Sequence, residues 1–181
     1  MTEWIVAPAH TADLPEIARL VNSAYRGEGA RQGWTSESEL LDGQRTDPAS
    51  LAEDLAGPNP STILALREVA TGPILACVFL EKVPAEAGPQ ACYLGMLTVA
   101  PAVQARGLGR VLIDKAESFA RDWGAARMAM TVISVRDALI AWYERRGYAR
   151  TGETKPFPYG DVRFGLPRRD DLRFVVLEKP L

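Results

Sequence analysis

Apolar residues recur along the chain at two kinds of spacing, one helical and one alternating. Two stripes at helical spacing predict amphipathic helices, one from a cap at Thr11 to about Gly27 and one from about Gly107 to Trp123. Shorter helical segments are predicted over residues 49–56, over residues 137–146, and from Thr35 or Ser36 through Leu41.

Strand-like runs lie between the predicted helices and are bounded by Gly, Pro or polar clusters. They are predicted at residues 5–7, 61–69, 74–83, 90–99, 127–134, 148–151 and 173–178. Because helices and strands interleave while the middle three strands follow one another directly, this order indicates an α/β architecture with a mixed sheet.

Length and composition fit an ordinary globular chain. The 181 residues carry a net charge of −2, and 47% of them are apolar. A chain of this size can hold a full core, so we expect a single domain over residues 1–181. The longest apolar run, Ile74–Leu80, is too short for a membrane span, and the first residues lack the pattern of a signal peptide. We therefore expect a cytoplasmic protein without a membrane partner.

The charge is divided unevenly between the two halves. Residues 1–100 carry 6 Lys and Arg against 13 Asp and Glu, whereas residues 101–181 carry 15 against 10. This split suggests a cationic substrate beside an anionic cofactor, although an uncorrelated surface distribution would look the same. The acidic balance, without a basic stripe, argues against a nucleic-acid partner. Two cysteines and one histidine predict no metal site.

A glycine-containing turn before the second long helix carries the clearest chemical signal. The segment reads Gln104-Ala105-Arg106-Gly107-Leu108-Gly109. Two glycines let the backbone approach a ligand, and the free N–H groups of a helix N-terminus attract an anion. With Arg106 and Arg110 adding positive charge, a pyrophosphate is the natural ligand. The glycines alone would also be explained by a tight turn between a strand and a helix.

Two longer segments extend this signal. The stretch LGMLTVAPAVQARGLGRVLIDKAESFARDWG resembles motif A of the GNAT superfamily of acetyl-CoA-dependent N-acetyltransferases, and VISVRDALIAWYERRGYARTGE resembles its motif B. The order of elements is similar to that of the family from residue 5 to residue 179. The resemblance implies a single-domain GNAT-like fold: a mixed, mostly antiparallel sheet of about seven strands, flanked by helices, with the strands at 90–99 and 127–134 splayed apart.

The resemblance also implies a binding site for acetyl-CoA. Its pantetheine arm would follow the strand at Leu97, Thr98 and Val99. Its pyrophosphate would lie on the turn and first helical residues, which are Gln104, Ala105, Arg106, Gly107, Leu108, Gly109 and Arg110. Tyr143 stands where many members of the family protonate the departing thiolate, although it could simply pack in the core. Many members also have a cofactor-contacting Asn near the motif B helix; this chain has none, so either Arg136 replaces it or the contact is missing.

The base that accepts the amine proton is less clearly indicated. The strand before motif A has no acidic residue, so the usual position is absent. Glu81 and Glu28 are the candidates, with a water chain as the alternative, and either glutamate could be an ordinary surface residue. The single histidine has no obvious nucleophile to activate, which favours direct attack by the amine.

The first helices and their loops would form the acceptor site in this family, which indicates Tyr25, Arg26, Trp34 and Arg45. The arginines suit a substrate with a carboxylate beside its amine, whereas the acidic first half suits a cationic one. The expected activity is acetylation of a primary amine of a small molecule. Acetylation of a protein N-terminus or lysine, or a non-catalytic acyl-CoA sensor, are the alternatives. Many members of the family dimerise, so a homodimer is a further possibility.

Overall fold

The computed structural model describes residues 4–26, 36–84 and 89–181. Its helices confirm the two amphipathic stripes, because each long helix lies close to its predicted range. The helices are α1 (Leu14–Tyr25), α2 (Pro48–Leu55), α3 (Leu108–Asp122) and α4 (Asp137–Glu144), with short 3-10 turns at Thr11–Asp13, Pro101–Arg106 and Val162–Phe164.

The strands are β1 (Ile5–Pro8), β2 (Leu41–Asp42), β3 (Ser61–Arg67), β4 (Ala76–Val83), β5 (Ala91–Val99), β6 (Arg127–Ile133), β7 (Ala149–Pro156), β8 (Leu166–Pro167) and β9 (Arg173–Pro180). Seven of them form one mixed sheet in the order β1-β3-β4-β5-β6-β9-β7, and β2 pairs with β8 in a separate two-stranded ladder. All neighbours in the large sheet are antiparallel except β5 and β6. This arrangement confirms the predicted fold.

The parallel pair in the centre of the sheet separates after three residues. Ala91, Cys92 and Tyr93 of β5 lie opposite β6, and the ladder between these two strands ends there. The other edge of β5 is irregular, because its register with β4 shifts at Met96, whose φ is +54°. The splay leaves a wedge between the second halves of β5 and β6, as the family resemblance implied.

The two faces of the sheet carry separate cores, and the alternation within β3 shows why. Leu64 and Leu66 pack on the face covered by α3, whereas Ile63 and Ala65 pack on the face covered by α1. The central part of the sheet is therefore covered by α1 on one face and by α3 on the other. Among the described residues, no helix combines the length and apolar character needed to cross a bilayer.

Two sequence-based predictions need correction. The predicted helix through Leu41 is wrong over its described part, because only one turn forms at Ser38–Leu40 before Leu41 enters β2. The chain there pairs with Leu166 and Pro167 instead of continuing a helix. The strand predicted at 148–151 is longer than expected, since β7 continues to Pro156 through a register shift. Every residue of β7 is exposed, so it lacks the apolar alternation that would have marked its full length.

Candidate active site

Three neighbouring cavities that share lining residues lie at and beside the splay between β5 and β6. The first, which we call the helix cleft, has a volume of about 370 Å³ and lies where the starts of α3 and α4 approach the end of β5. Its lining residues are Tyr25, Leu97, Val99, Gln104, Gly107, Gly109, Arg110, Ala138, Leu139, Trp142, Tyr143, Arg145 and Arg146.

The predicted phosphate turn forms one wall of the helix cleft. Gly107 joins the 3-10 turn to α3 with φ of +76°, a conformation that glycine adopts without steric cost. Gln104 Nε2 donates to the carbonyl of Val99 at 3.2 Å and so ties the turn to β5. The first turn of α3 therefore borders the cleft, where its N–H groups and helix dipole favour an anion.

Arginines add positive charge to the same cleft. The guanidinium of Arg146 lies 3.5 Å from the centre of the Trp142 ring and donates to the Trp142 carbonyl at 2.7 Å. Burial, followed by the nearby charges of Arg145 and Arg110, lowers the pKa of Arg146. Its buried Nε has no hydrogen-bond partner within the part of the chain that the structure describes. These arginines repel one another, and one of them has a hydrogen-bond donor without a partner, so a phosphate-bearing ligand would stabilise the arrangement.

Four of the predicted cofactor residues do not line the helix cleft with their side chains. Leu108 is fully buried in the core, and Thr98 is buried with its hydroxyl donating to the Met96 carbonyl. Arg106 stacks on the Trp4 ring at 4.8 Å and pairs with Glu68 at 3.6 Å. Ala105 is exposed in the 3-10 turn and also lies outside the lining. The cofactor contacts of all four residues stay predictions, and those of the buried Leu108 and Thr98 would be made by backbone groups.

The second cavity, the wedge cavity, has a volume of about 120 Å³ between β5 and β6. Four residues line both it and the helix cleft: Tyr25, Leu97, Leu139 and Tyr143. Burial raises the pKa of the Tyr143 phenol well above its usual range, so the hydroxyl remains protonated. Burial likewise raises the pKa of Tyr25 to about 12, and its hydroxyl donates to the Leu97 carbonyl at 2.5 Å.

A buried carboxylate with three arginines around it forms another wall of the wedge cavity. Glu37 pairs with Arg26 at 2.5 Å and with Arg136 at 3.1 Å. Burial tends to raise the pKa of Glu37, but Arg136, Arg45 and Arg26 outweigh that effect and hold the pKa below its usual range. Arg136, which stands near the missing Asn position, thus contacts Glu37, and both residues line the cavity.

The third cavity, the sheet cleft, has a volume of about 660 Å³ over β4 and β5. The Tyr93 ring lies over Gly95, where a Cβ would approach it to 2.9 Å, and its hydroxyl is 3.2 Å from Thr131 Oγ1. Five residues line both this cleft and the wedge cavity: Arg45, Tyr93, Gly95, Met96 and Phe164. The rest of the lining is Gln44, Thr46, Asp47, Ser50, Glu53, Asp54, Gly57, Phe79, Glu81, Val162 and Arg163.

The structure brings together some of the predicted acceptor and catalytic residues. Tyr25, Arg45 and Tyr143 line the wedge cavity, and Glu81 lines the sheet cleft, where its Oε1 accepts a hydrogen bond from Asn59 at 2.7 Å. Arg26 lines none of the three cavities, because its guanidinium is held by Glu37 and by the Phe164 carbonyl. The predictions for Trp34 and Glu28 fall outside the described residues.

Sequence reasoning missed several lining residues. Arg145 and Arg146 follow Tyr143 with one residue, Glu144, between them, and this basic pair at the end of a predicted helix is a usable signal. Glu37 and Tyr93 gave no such signal, because their positions depend on pairings with distant segments. Neither cysteine is a ready nucleophile, since burial raises the pKa of Cys77 to about 12 and that of Cys92 to about 11.

Comparison with known proteins agrees with this geometry. The acetyltransferase (GNAT) family matches residues 28–148, which is more than half of the chain. The chain therefore belongs to the GNAT family, whose members use acetyl-CoA.

Individual relatives act on different acceptors. The chain is 31% identical over 145 residues to the mycothiol acetyltransferase of Rhodococcus erythropolis, a match that covers 76% of this chain and 44% of that protein. It is 28% identical over 163 residues to the streptothricin acetyltransferase of Streptomyces lavendulae, with 72% and 84% covered. The chain thus spans less than half the length of the first of these relatives.

Among solved structures, the fold is similar to that of the ribosomal-protein-alanine N-acetyltransferase of Brucella melitensis. The TM-score is 0.70 at 18% identity, and the superposition covers 98% of this chain and 99% of that one. At this identity the likeness establishes the fold alone.

Proposed function

We propose that this enzyme transfers the acetyl group of acetyl-CoA to a primary amine of a small molecule, by direct attack of the amine. The observation that carries the proposal is the set of lining residues that neighbouring cavities share. The wedge cavity shares Tyr143 with the helix cleft and Tyr93 with the sheet cleft. A donor bound on one side and an acceptor bound on the other would therefore meet in the splay between β5 and β6.

The helix cleft fits the donor by the chemistry of its groups. Phosphates suit the start of α3 together with Arg110, Arg145 and Arg146, whose positive charges lie close to one another. Leu97 and Val99 border the cleft along β5 and offer backbone groups to an extended amide-containing arm. When bound, acetyl-CoA supplies an activated acetyl group as a thioester.

Tyr143 is the proposed general acid. Its hydroxyl is protonated at neutral pH, as a phenol of ordinary or raised pKa is, and the residue borders both the helix cleft and the wedge cavity. As the nitrogen–carbon bond forms and the carbon–sulfur bond breaks, Tyr143 gives its proton to the leaving sulfur. The oxidation states do not change, and the phenolate then recovers a proton from solvent.

Glu81 is the proposed acceptor of the proton that the attacking amine loses. It projects from β4 into the sheet cleft and lies opposite Tyr93 in the strand register. The hydrogen bond from Asn59 to Oε1 fixes the carboxylate and leaves its other oxygen for the amine or for an intervening water. The amine must be neutral to attack, so a carboxylate on this side of the wedge completes the proton transfer.

The test is an assay of CoA thiol release against amino acids, polyamines, aminoglycosides and short peptides. We expect turnover with a small amine. Tyr143→Phe should lower kcat by about 10²- to 10⁴-fold, the usual contribution of a general acid, with CoA affinity unchanged by calorimetry. Glu81→Gln should lower kcat in the same range. The matched control is Tyr159→Phe, because among the described residues the Tyr159 hydroxyl accepts a hydrogen bond only from the Leu172 N–H. An unchanged rate in Tyr143→Phe would contradict the assigned role.

A further inference from the structure

We propose that the acceptor carries an anionic group, a carboxylate or its equivalent, within a few bonds of the reacting amine, and that Arg45 binds this group. The inference rests on the proposed function and narrows its substrate class to α-amino acids and close analogues. Three observations carry it: the contacts of Arg45, the charge balance around Glu37, and the small size of the wedge cavity.

Arg45 has a fixed backbone and an available guanidinium. Its backbone N–H donates to Asn22 Oδ1 at 2.6 Å, and the next N–H, from Thr46, reaches the same oxygen at 3.2 Å. Within the part of the chain that the structure describes, no hydrogen bond or carboxylate within 4 Å engages the guanidinium. It lies instead over the Tyr25 ring, whose centre is 5.9 Å away. Arg45 thus has a fixed backbone, lines two cavities, and can donate two hydrogen bonds from its guanidinium to one bound anion.

The charges around the wedge cavity leave room for an anion. Glu37 is paired with Arg26 and Arg136 and also lies in the field of Arg45, so this carboxylate is shared among three guanidiniums. Arg45 also acts on Asp54, but that carboxylate lines the sheet cleft and not the wedge cavity. The carboxylates of the sheet cleft (Asp47, Glu53, Asp54 and Glu81) are not part of the wedge lining. A substrate anion beside Arg45 would reduce the excess positive charge in this partly desolvated space.

The size of the wedge cavity sets the distance between the two groups of the substrate. Arg45 and Tyr143 both line this cavity of about 120 Å³, whereas the sheet cleft is about 660 Å³. An amine placed for attack near Tyr143 and an anion on Arg45 must therefore be separated by few bonds. An α-amino acid meets this requirement, and its side chain would extend into the larger, carboxylate-lined sheet cleft. A plain diamine would place no negative charge beside Arg45.

The experiment compares matched pairs of amines that differ only in the carboxylate: lysine and cadaverine, ornithine and putrescine, phenylalanine and phenethylamine. Thiol release gives kcat and KM for each with the wild type, Arg45→Gln and Arg45→Lys. Arg19→Gln, at an exposed position of α1 outside the three cavities, is the matched control. Thermal unfolding of every variant establishes that it is folded.

We expect the wild type to prefer the carboxylated member of a pair. Arg45→Gln should lower kcat/KM for that member by about 10- to 100-fold, the loss expected for a charge-assisted hydrogen bond, mainly through KM. The loss with the decarboxylated member should be much smaller, because that amine has no anion for Arg45 to bind, and Arg45→Lys should restore part of the preference. Equal turnover of both members by the wild type, or equal loss with both in Arg45→Gln, would overturn this inference and leave the proposed function standing. Absence of thiol release with every amine would overturn both.

Discussion

The helix cleft and the sheet cleft both share lining residues with the wedge cavity, but they are assembled in different ways. The helix cleft takes all but one of its lining residues from two continuous segments, residues 97–110 and 138–146, and offers the N-terminus of α3 together with nearby arginines. The sheet cleft takes side chains from α2, β4, β5 and the segment at Val162–Phe164. A constant ligand can be bound by a local backbone motif, whereas a variable acceptor needs side chains that long-range folding brings together.

The sharpest test of this contrast is to disrupt the buried ion pairs of Glu37 with Arg26 and Arg136, which hold the acceptor side together. Glu37→Gln leaves Arg26 and Arg136, both nearly buried, without their counter-charge. We expect the free energy of unfolding to fall by about 3 to 5 kcal/mol, as when one partner of a buried ion pair is removed. Urea unfolding monitored by circular dichroism measures it. CoA affinity should change far less, because Glu37 does not line the helix cleft.

The matched control is Glu144→Gln, which removes an exposed glutamate paired with Arg150 at 3.0 Å. That change should cost at most about 1 kcal/mol. The pH dependence gives a second readout. The pKa of Glu37 is lowered in the folded state, so its stabilising contribution is present above the ordinary pKa of a glutamate, about 4.3, and is lost as the pH falls below that value. Glu37→Gln should flatten this part of the stability curve; an unchanged curve would contradict the network.

This contrast also explains which features could be predicted from the sequence. The order of elements and the phosphate turn depend on local periodicity and on a contiguous motif, so the sequence itself indicates them, whereas the splayed strands follow only from the family resemblance. The family resemblance places Arg26 in the acceptor region, and that role stays a prediction. The contacts of Arg26 with Glu37 and with the Phe164 carbonyl depend on separate segments whose approach local patterns do not reveal. For the same reason the pairing of β2 with β8 was missed, since each contributes only two residues.

Gly165 is expected to have the next largest effect, again on the acceptor side. Its backbone has φ of +91° and ψ of 176°, a region open essentially only to glycine. A Cβ there would also lie 2.9 Å from the Asp42 carbonyl oxygen and 3.1 Å from Arg26 Nη2. Gly165→Ala should therefore lower the free energy of unfolding by about 3 kcal/mol, from strain and overpacking combined.

Gly160→Ala separates these two causes. Gly160 has a similar φ of +90°, but a Cβ there would meet no atom within 4 Å. Its substitution should cost about 1 to 2 kcal/mol, the penalty of a positive φ alone. The difference between the two variants in chemical denaturation then measures the crowding around Arg26 together with the additional backbone strain at Gly165. Equal losses would mean that neither the crowding nor the additional strain has a measurable cost.

Gly107→Ala brings the smallest change in stability and tests the other side of the comparison. Gly107 has φ of +76°, and a Cβ added there would meet open space, so only backbone strain is expected, about 1 to 2 kcal/mol. Gly124→Ala, at the other end of α3 with φ of +79° and equally open surroundings, should cost the same in stability. Only Gly107 borders the helix cleft, so only its substitution should weaken CoA binding, because relief of the strain would turn the first N–H groups of α3. Calorimetry with CoA on both variants decides: equal affinities would mean that side chains rather than this backbone turn hold the phosphates.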